Sequence, residues 1–144
     1  MDKIPVFTRL LGNYRYAERK ERYLWSSLLG FEGARFENLV ACHLLKHVHW
    51  QQDTLGKNID MHYLRTKDGA EVDFALGDSS APEPTLTHLV ECKLSATKLH
   101  PALVRFSERW PQATAVQIVR DLDTAEDLNH VQLRSAAEWL GQLS

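Results

Sequence analysis

The sequence predicts an α/β domain, and three patterns carry that prediction. Between Phe31 and about Trp50 the apolar residues recur at helical spacing. Three strand-like runs follow in succession, at 59–66, 70–76 and 87–93. A second helical pattern, at about 101–110, then separates the third run from another apolar strand at 114–120. Alternation of this kind in 144 residues suits one domain with one core.

Residues 1–30 show no clear period and read as an N-terminal arm, with the domain proper at 31–144. Leu10, Leu11, Trp25, Leu28 and Leu29 make the arm too apolar for a free tail, so it is expected to pack on its own core or to pair two copies as a homodimer. The arm is also basic: six Lys and Arg against three acids give it +3, leaving −5 on the rest of a chain whose total is −2. Its stretch "YRYAERKERYLW" interleaves bases with aromatic rings, a pattern that suits phosphate contact and base stacking but is commoner on surface helices with an aromatic underside.

In the first helix, at about 100° per residue, Val40, Leu44 and Val48 form an apolar arc that takes in Phe36 and Ala41. Arg35, Asn38, Lys46 and His49 lie opposite. "IDMHYLRT", "KDG" and "AEVDFAL" read as a β-hairpin turned by Asp68-Gly69. In its second strand, strict alternation puts Val72, Phe74 and Leu76 on one face and Glu71, Asp73 and Ala75 on the other. "GDSSAPEPTL" is an exposed loop. The third strand places Leu89, Glu91 and Lys93 on one face and Val90, Cys92 and Leu94 on the other. Pro101 opens the second helix, which carries Leu103, Phe106 and Trp110 along one side. After the strand 114–120, "DLDTAED" reads as an acidic loop, "VQLR" as a short strand, and "SAAEWLGQL" as a last helix capped by Ser135.

Composition narrows the class further. With 44% apolar and 25% charged residues, the chain is an ordinary globular domain. Two cysteines are too few for a disulfide framework, and no run is apolar and long enough to cross a bilayer, so the expectation is a cytoplasmic protein without a membrane partner. Nothing reads G-x-x-x-x-G-K-[ST], so this chain is not expected to hydrolyse ATP.

The acids fall in unexpected places. Glu37 lies inside the apolar arc of the first helix, Asp73 stands in the hairpin's second strand, and Glu91 stands in the next strand with Lys93 beside it. Clustered carboxylates raise each other's pKa unless a cation joins them. Mg²⁺ suits them because it takes oxygen ligands and keeps water in its shell. A lysine on the same face then addresses the attacking water or a phosphoryl group. The competing reading is a buried salt-bridge network of Lys93 with Glu91 and Asp73, but three acids against one lysine leave charge uncompensated.

Other constellations are weaker. His43 and His47 stand at i, i+4 without the glutamate of H-E-x-x-H, and read as boundary histidines. Cys42 and Cys92 have no neighbouring base to activate a thiol. Asp121, Asp123, Glu126 and Asp127 lack the glycine and spacing of a calcium loop.

Asp73, seventeen residues, then Glu91-Cys92-Lys93, preceded by a helical Glu37, resembles the PD-(D/E)XK nuclease superfamily. More narrowly, "GARFENLVACHLL", "YLRTKDGAEVDFAL" and "HLVECKLSATK" together resemble the uncharacterised C-terminal domain of bacterial and archaeal AAA-type ATPases, over roughly residues 31–140. The superfamily resemblance implies a restriction-endonuclease-like αβββαβ core, a mixed central sheet flanked by helices. It implies Asp73, Glu91 and Glu37 as ligands of Mg²⁺ or Mn²⁺, and Lys93 as the catalytic lysine. Val72 stands where the superfamily usually has a proline. Two functions follow as expectations: a Mg²⁺-dependent nuclease acting on DNA, or an inactive nuclease-fold module that binds DNA or a protein partner in the service of an ATPase.

Overall fold

The computed structural model describes residues 6–9, 32–78, 80, 85–95 and 98–143. Its elements are strand β1 (Val6–Arg9), helix α1 (Glu32–Leu55), strands β2 (Asp60–Arg65), β3 (Glu71–Asp78) and β4 (Thr85–Lys93), helix α2 (Pro101–Arg109), strands β5 (Thr114–Val119), β6 (Glu126–Leu128) and β7 (Val131–Ser135), and helix α3 (Ala136–Gly141). The strands form one mixed sheet in the order β1-β2-β3-β4-β5-β7-β6. The β4–β5 and β5–β7 pairs are parallel, and the other pairs are antiparallel. Parallel neighbours need a crossover, and α2 supplies it between β4 and β5.

Both faces of the sheet are covered by helices. Phe36, Val40, Leu44 and Val48 of α1 and Trp139 of α3 pack with Phe74, Leu76, Val90, Cys92, Val116 and Ile118 on one face. Ala102, Leu103 and Phe106 of α2 pack with Leu86, Leu89 and Ala115 on the other. The helical spacing at 36, 40, 44 and 48 therefore buries the stripe it predicts, and Leu44 and Val48 have no exposed area. Full burial of side chains of this size is worth about 1.5–3 kcal/mol each. No Gly or Pro stands between Trp50 and Gly56, so α1 runs five residues past Trp50.

The hairpin turn falls where Asp68-Gly69 predicts it. Gly69 takes φ +91°, a value that favours glycine, and the Thr66 N–H closes the turn on the Ala70 carbonyl at 2.8 Å. Five sequence readings need correction. The loop 77–86 is shorter than its Pro and Ser content suggests, because β3 continues to Asp78 and β4 begins at Thr85. The acidic loop contains β6, folded back on β7 through Asn129 and His130, which both take positive φ, at 49° and 63°. That two-residue turn lacks the Asn-Gly signature that would have announced it. Ser135 occupies the cap position of α3 but makes no side-chain capping bond. Residues 6–9, read without a period, form β1 and pair with β2. The remainder of the arm, and its expected role in dimer formation, lies outside the described residues.

The fifth correction concerns β3 itself. Its pairing with β2 steps from His62↔Ala75 to Leu64↔Val72, so β3 spends three residues where β2 spends two. This is a β-bulge, and it breaks the strict alternation. Val72 and Ala75 consequently share the α2-side core, while Phe74 and Leu76 belong to the α1 side. Asp73 lies inside the bulge.

Gly77 marks a second irregularity, where the register between β3 and β4 shifts. A Cβ there would sit 2.3 Å from the Thr85 carbonyl oxygen and 2.8 Å from the Leu86 Cα, both backbone atoms that cannot step aside. Gly77→Ala is expected to destabilise the fold by about 1–3 kcal/mol or more, read as a lower urea midpoint. An unchanged midpoint would refute the close approach of β3 to β4.

Candidate functional site

The site lies where β3 and β4 part. Their ladder ends at Phe74↔Val90, while β4 continues beside β5 as far as Lys93↔Val119. The fork frees backbone amides that β3 and β4 would otherwise satisfy for each other. The two acids take them up reciprocally. Cys92 N–H donates to Asp73 Oδ2 at 2.8 Å, and Asp73 N–H donates to Glu91 Oε2 at 3.3 Å. The bulge is what makes this reach available, since it turns the Asp73 side chain toward β4.

Lys93 follows two residues after Glu91, on the same face of β4, and its Nζ donates to Glu91 Oε1 at 2.5 Å. The Glu91 side chain is 4% exposed and that of Lys93 35%, so the carboxylate is enclosed while the ammonium reaches solvent. His100, just before α2, brings Nδ1 to 3.7 Å from the same Oε1. Gln117 of β5, paired with Glu91 in the sheet, is fully buried. Its side chain holds the segment before α2 at two points, accepting from His100 N–H at 2.8 Å and donating to the Lys98 carbonyl at 3.0 Å.

Electrostatics at the fork favour a cation. Burial, and then the charge of Glu91, raise Asp73 from its ordinary 3.8 to about 7, outweighing the hydrogen bond from Cys92. Burial also raises Glu91, against the opposing effect of Lys93. For Lys93, burial lowers the pKa, but the hydrogen bond to Glu91 and the charges of Glu91, Asp73 and Glu37 hold it above the usual lysine range. The ammonium is therefore protonated at neutral pH. Glu37 approaches from α1, near enough for its charge to help raise Glu91 and Cys92.

The four residues singled out in the sequence thus occupy one neighbourhood: Asp73, Glu91 and Lys93 at the fork, with Glu37 beside them. Among the described residues no group of three or more His, Cys, Asp or Glu side chains is arranged around a metal position. Two adjacent carboxylates nevertheless fit Mg²⁺, which is commonly held by one or two carboxylates, with water and substrate phosphate completing its shell. Sequence reading missed His100 and Gln117. The signal for Gln117 was present, as a lone amide in the apolar run "TAVQIVR".

The discarded candidates add no reactive side chain to this centre. Cys92 is buried, and burial followed by the charges of Asp73, Glu37 and Glu91 pushes its thiol well above the ordinary range, so it cannot serve as a thiolate. His43 Nδ1 lies 2.9 Å from the Leu39 carbonyl oxygen, while His47 meets the Leu143 carbonyl and the Gln51 amide. A groove of about 620 Å³ between α1 and α3 is lined largely by apolar groups, among them Leu39, Trp50 and Leu140, and by none of the fork residues. It lacks the fork's carboxylates.

The chain is therefore a mixed α/β domain with an acid-rich, lysine-bearing fork at its centre. It belongs to the family described as a domain of unknown function (DUF4143), whose model matches residues 32–133, and this is compatible with the C-terminal domain of an AAA-type ATPase. No curated protein and no solved structure matches it. No described helix is long and apolar enough to cross a membrane.

The raised carboxyl at Asp73 fixes a pH dependence. The folded state holds a proton between pH 3.8 and about 7 that the unfolded chain has lost. The associated stability is present below the lower value and disappears as pH rises through the upper one. Metal-free protein should melt at falling temperature as pH climbs over this window. Asp73→Asn should flatten the slope and, at pH 8, melt level with the parent or above it, since Lys93 keeps Glu91 as its partner. Calorimetry in chelator from pH 4 to 8 checks this. A large loss in the variant at pH 8 would instead make Asp73 a structural salt-bridge partner.

Proposed function

We propose that this domain is a metal-dependent nuclease of PD-(D/E)XK type, with a restriction-endonuclease-like core, hydrolysing phosphodiester bonds of DNA. The observation that carries the reading is the adjacency of half-buried Asp73 and buried Glu91, both with raised pKa values, beside a protonated Lys93. Asp73 and Glu91, with Glu37 behind them, would hold Mg²⁺ or Mn²⁺. When bound, such a cation polarises a phosphoryl oxygen and orients a water. By holding the cation, Asp73 and Glu91 would set where a phosphate lies against the fork. Lys93, exposed at its tip and charged, donates to the developing negative charge on the phosphoryl oxygens. The partly solvated ammonium can leave Glu91 for the substrate, whereas the enclosed carboxylate cannot follow it.

A specific observation favours a second reading, a nuclease-fold module that binds DNA or a protein partner without cutting. Lys93 is already engaged by Glu91 at 2.5 Å, and the chain beyond the arm is acidic, which disfavours a broad DNA-binding surface. In either case we place the domain in the cytoplasm, attached to or serving an AAA-type ATPase, a reading supported by the family's compatibility with the C-terminal domain of such ATPases.

Plasmid and single-stranded DNA, incubated with Mg²⁺ or Mn²⁺ and with chelator, separate the two. The nuclease reading predicts cleavage that chelator abolishes and that Lys93→Met lowers by roughly 10²–10³-fold, with metal affinity changed only a few-fold. Cleavage surviving Lys93→Met would sink the mechanism. Metal binding without cleavage in the parent would leave the module.

A further inference from the structure

We propose, building on the cation-site reading, that His100 is a positioning residue whose Nδ1–H holds the Glu91 carboxylate in place once Lys93 turns to the phosphate. Glu91 Oε1 takes its hydrogen bond from Lys93 at 2.5 Å. A lysine that serves the substrate must give up that bond, and the Glu91 side chain, 4% exposed, has little access to replacement water. His100 Nδ1 stands 3.7 Å from the same oxygen, is itself buried, and has no hydrogen-bond partner among the described residues.

The backbone around His100 is built to keep it there. Gln117, fully buried and paired with Glu91 across β4 and β5, clamps His100 N–H and the Lys98 carbonyl, and Pro101 stiffens the next residue as α2 begins. The strand that aligns with the acid thus also anchors the imidazole against it. The other charged groups that act on His100 are Lys93 and Glu71. Hydrogen-bonding partners of ligating groups set their orientation, and losing one commonly weakens metal binding by 10–100-fold.

The test is Mn²⁺ titration of the full chain carrying Lys93→Met, which takes the lysine off Glu91 Oε1 as a phosphate would, followed through the electron paramagnetic resonance signal of free Mn²⁺, in that parent and in the same chain with His100→Ala or His100→Asn added. The Asn amide nitrogen occupies nearly the place of Nδ1 and keeps a donor there. His100→Ala should weaken Mn²⁺ binding by about 10–100-fold, while His100→Asn stays within a few-fold of the parent and both variants melt cooperatively. Should His100→Ala fail to fold, His100→Gln, whose amide matches Nε2 rather than Nδ1, is expected to show the same loss. Parental affinity in the donor-lacking variant, or equal losses in it and in His100→Asn, overturns the role of His100 alone. A parent that binds no Mn²⁺ overturns this role together with the cation site.

Discussion

Where β3 leaves β4, two backbone N–H groups lose their ladder partners, and two carboxylates recover them. Asp73 accepts from Cys92, and Glu91 accepts from Asp73. The rest of the centre depends on this exchange. It locks both acids side by side without help from any cation, and so accepts the burial and then the repulsion that raise Asp73 to about 7. It also turns one oxygen of Glu91 toward Lys93 and His100. A carboxylate that caps an amide is held by its own main chain. That is a stiffer mounting than a long side chain reaching across a cleft.

The charge balance distinguishes this arrangement from an ordinary buried ion pair. A closed pair is neutral, and removing one partner costs roughly 3–5 kcal/mol because a charge is left buried alone. Here Lys93 and Glu91 form such a pair, and Asp73 is the surplus beside it. Fully structural networks tend to shed a surplus of this kind, since a neutral amide at Asp73 could accept the Cys92 N–H equally well. Its presence as an acid is the feature that a purely architectural account leaves unexplained.

Much of this was legible in the sequence, and the exceptions have physical causes. The stripe at Phe36, Val40, Leu44 and Val48, the Asp68-Gly69 turn and the alternation from Leu89 to Leu94 all describe local periodicity, and each is found as expected. The alternation in β3 failed because a bulge is one extra residue, and "AEVDFAL" contains no glycine to announce it. That failure matters, because the bulge is what delivers Asp73. Gln117 and His100 were missed for a different reason. Their proximity to Glu91 is set by the parallel pairing of β4 with β5, a contact between distant parts of the chain that no local pattern encodes. β6 was hidden by its acidic composition and by a turn made with Asn and His in place of glycine.

The strand β1 has a bearing on how this domain should be handled. Similarity of motifs begins near residue 31, and a domain cut at that point would look complete by sequence. It would nonetheless strip Val6–Arg9 from their ladder with Arg65, Leu64, Tyr63 and His62. The bared margin of β2 would offer a row of unsatisfied amides and carbonyls, and such a margin invites pairing with another chain. At the opposite border the sheet finishes in β6, three residues long and bearing Glu126 and Asp127, which discourages the same event. The two borders are thus guarded unequally: one by its own charges, the other by a strand contributed from far upstream. Fragments that begin at α1 would trade a tidy boundary for a tendency to aggregate.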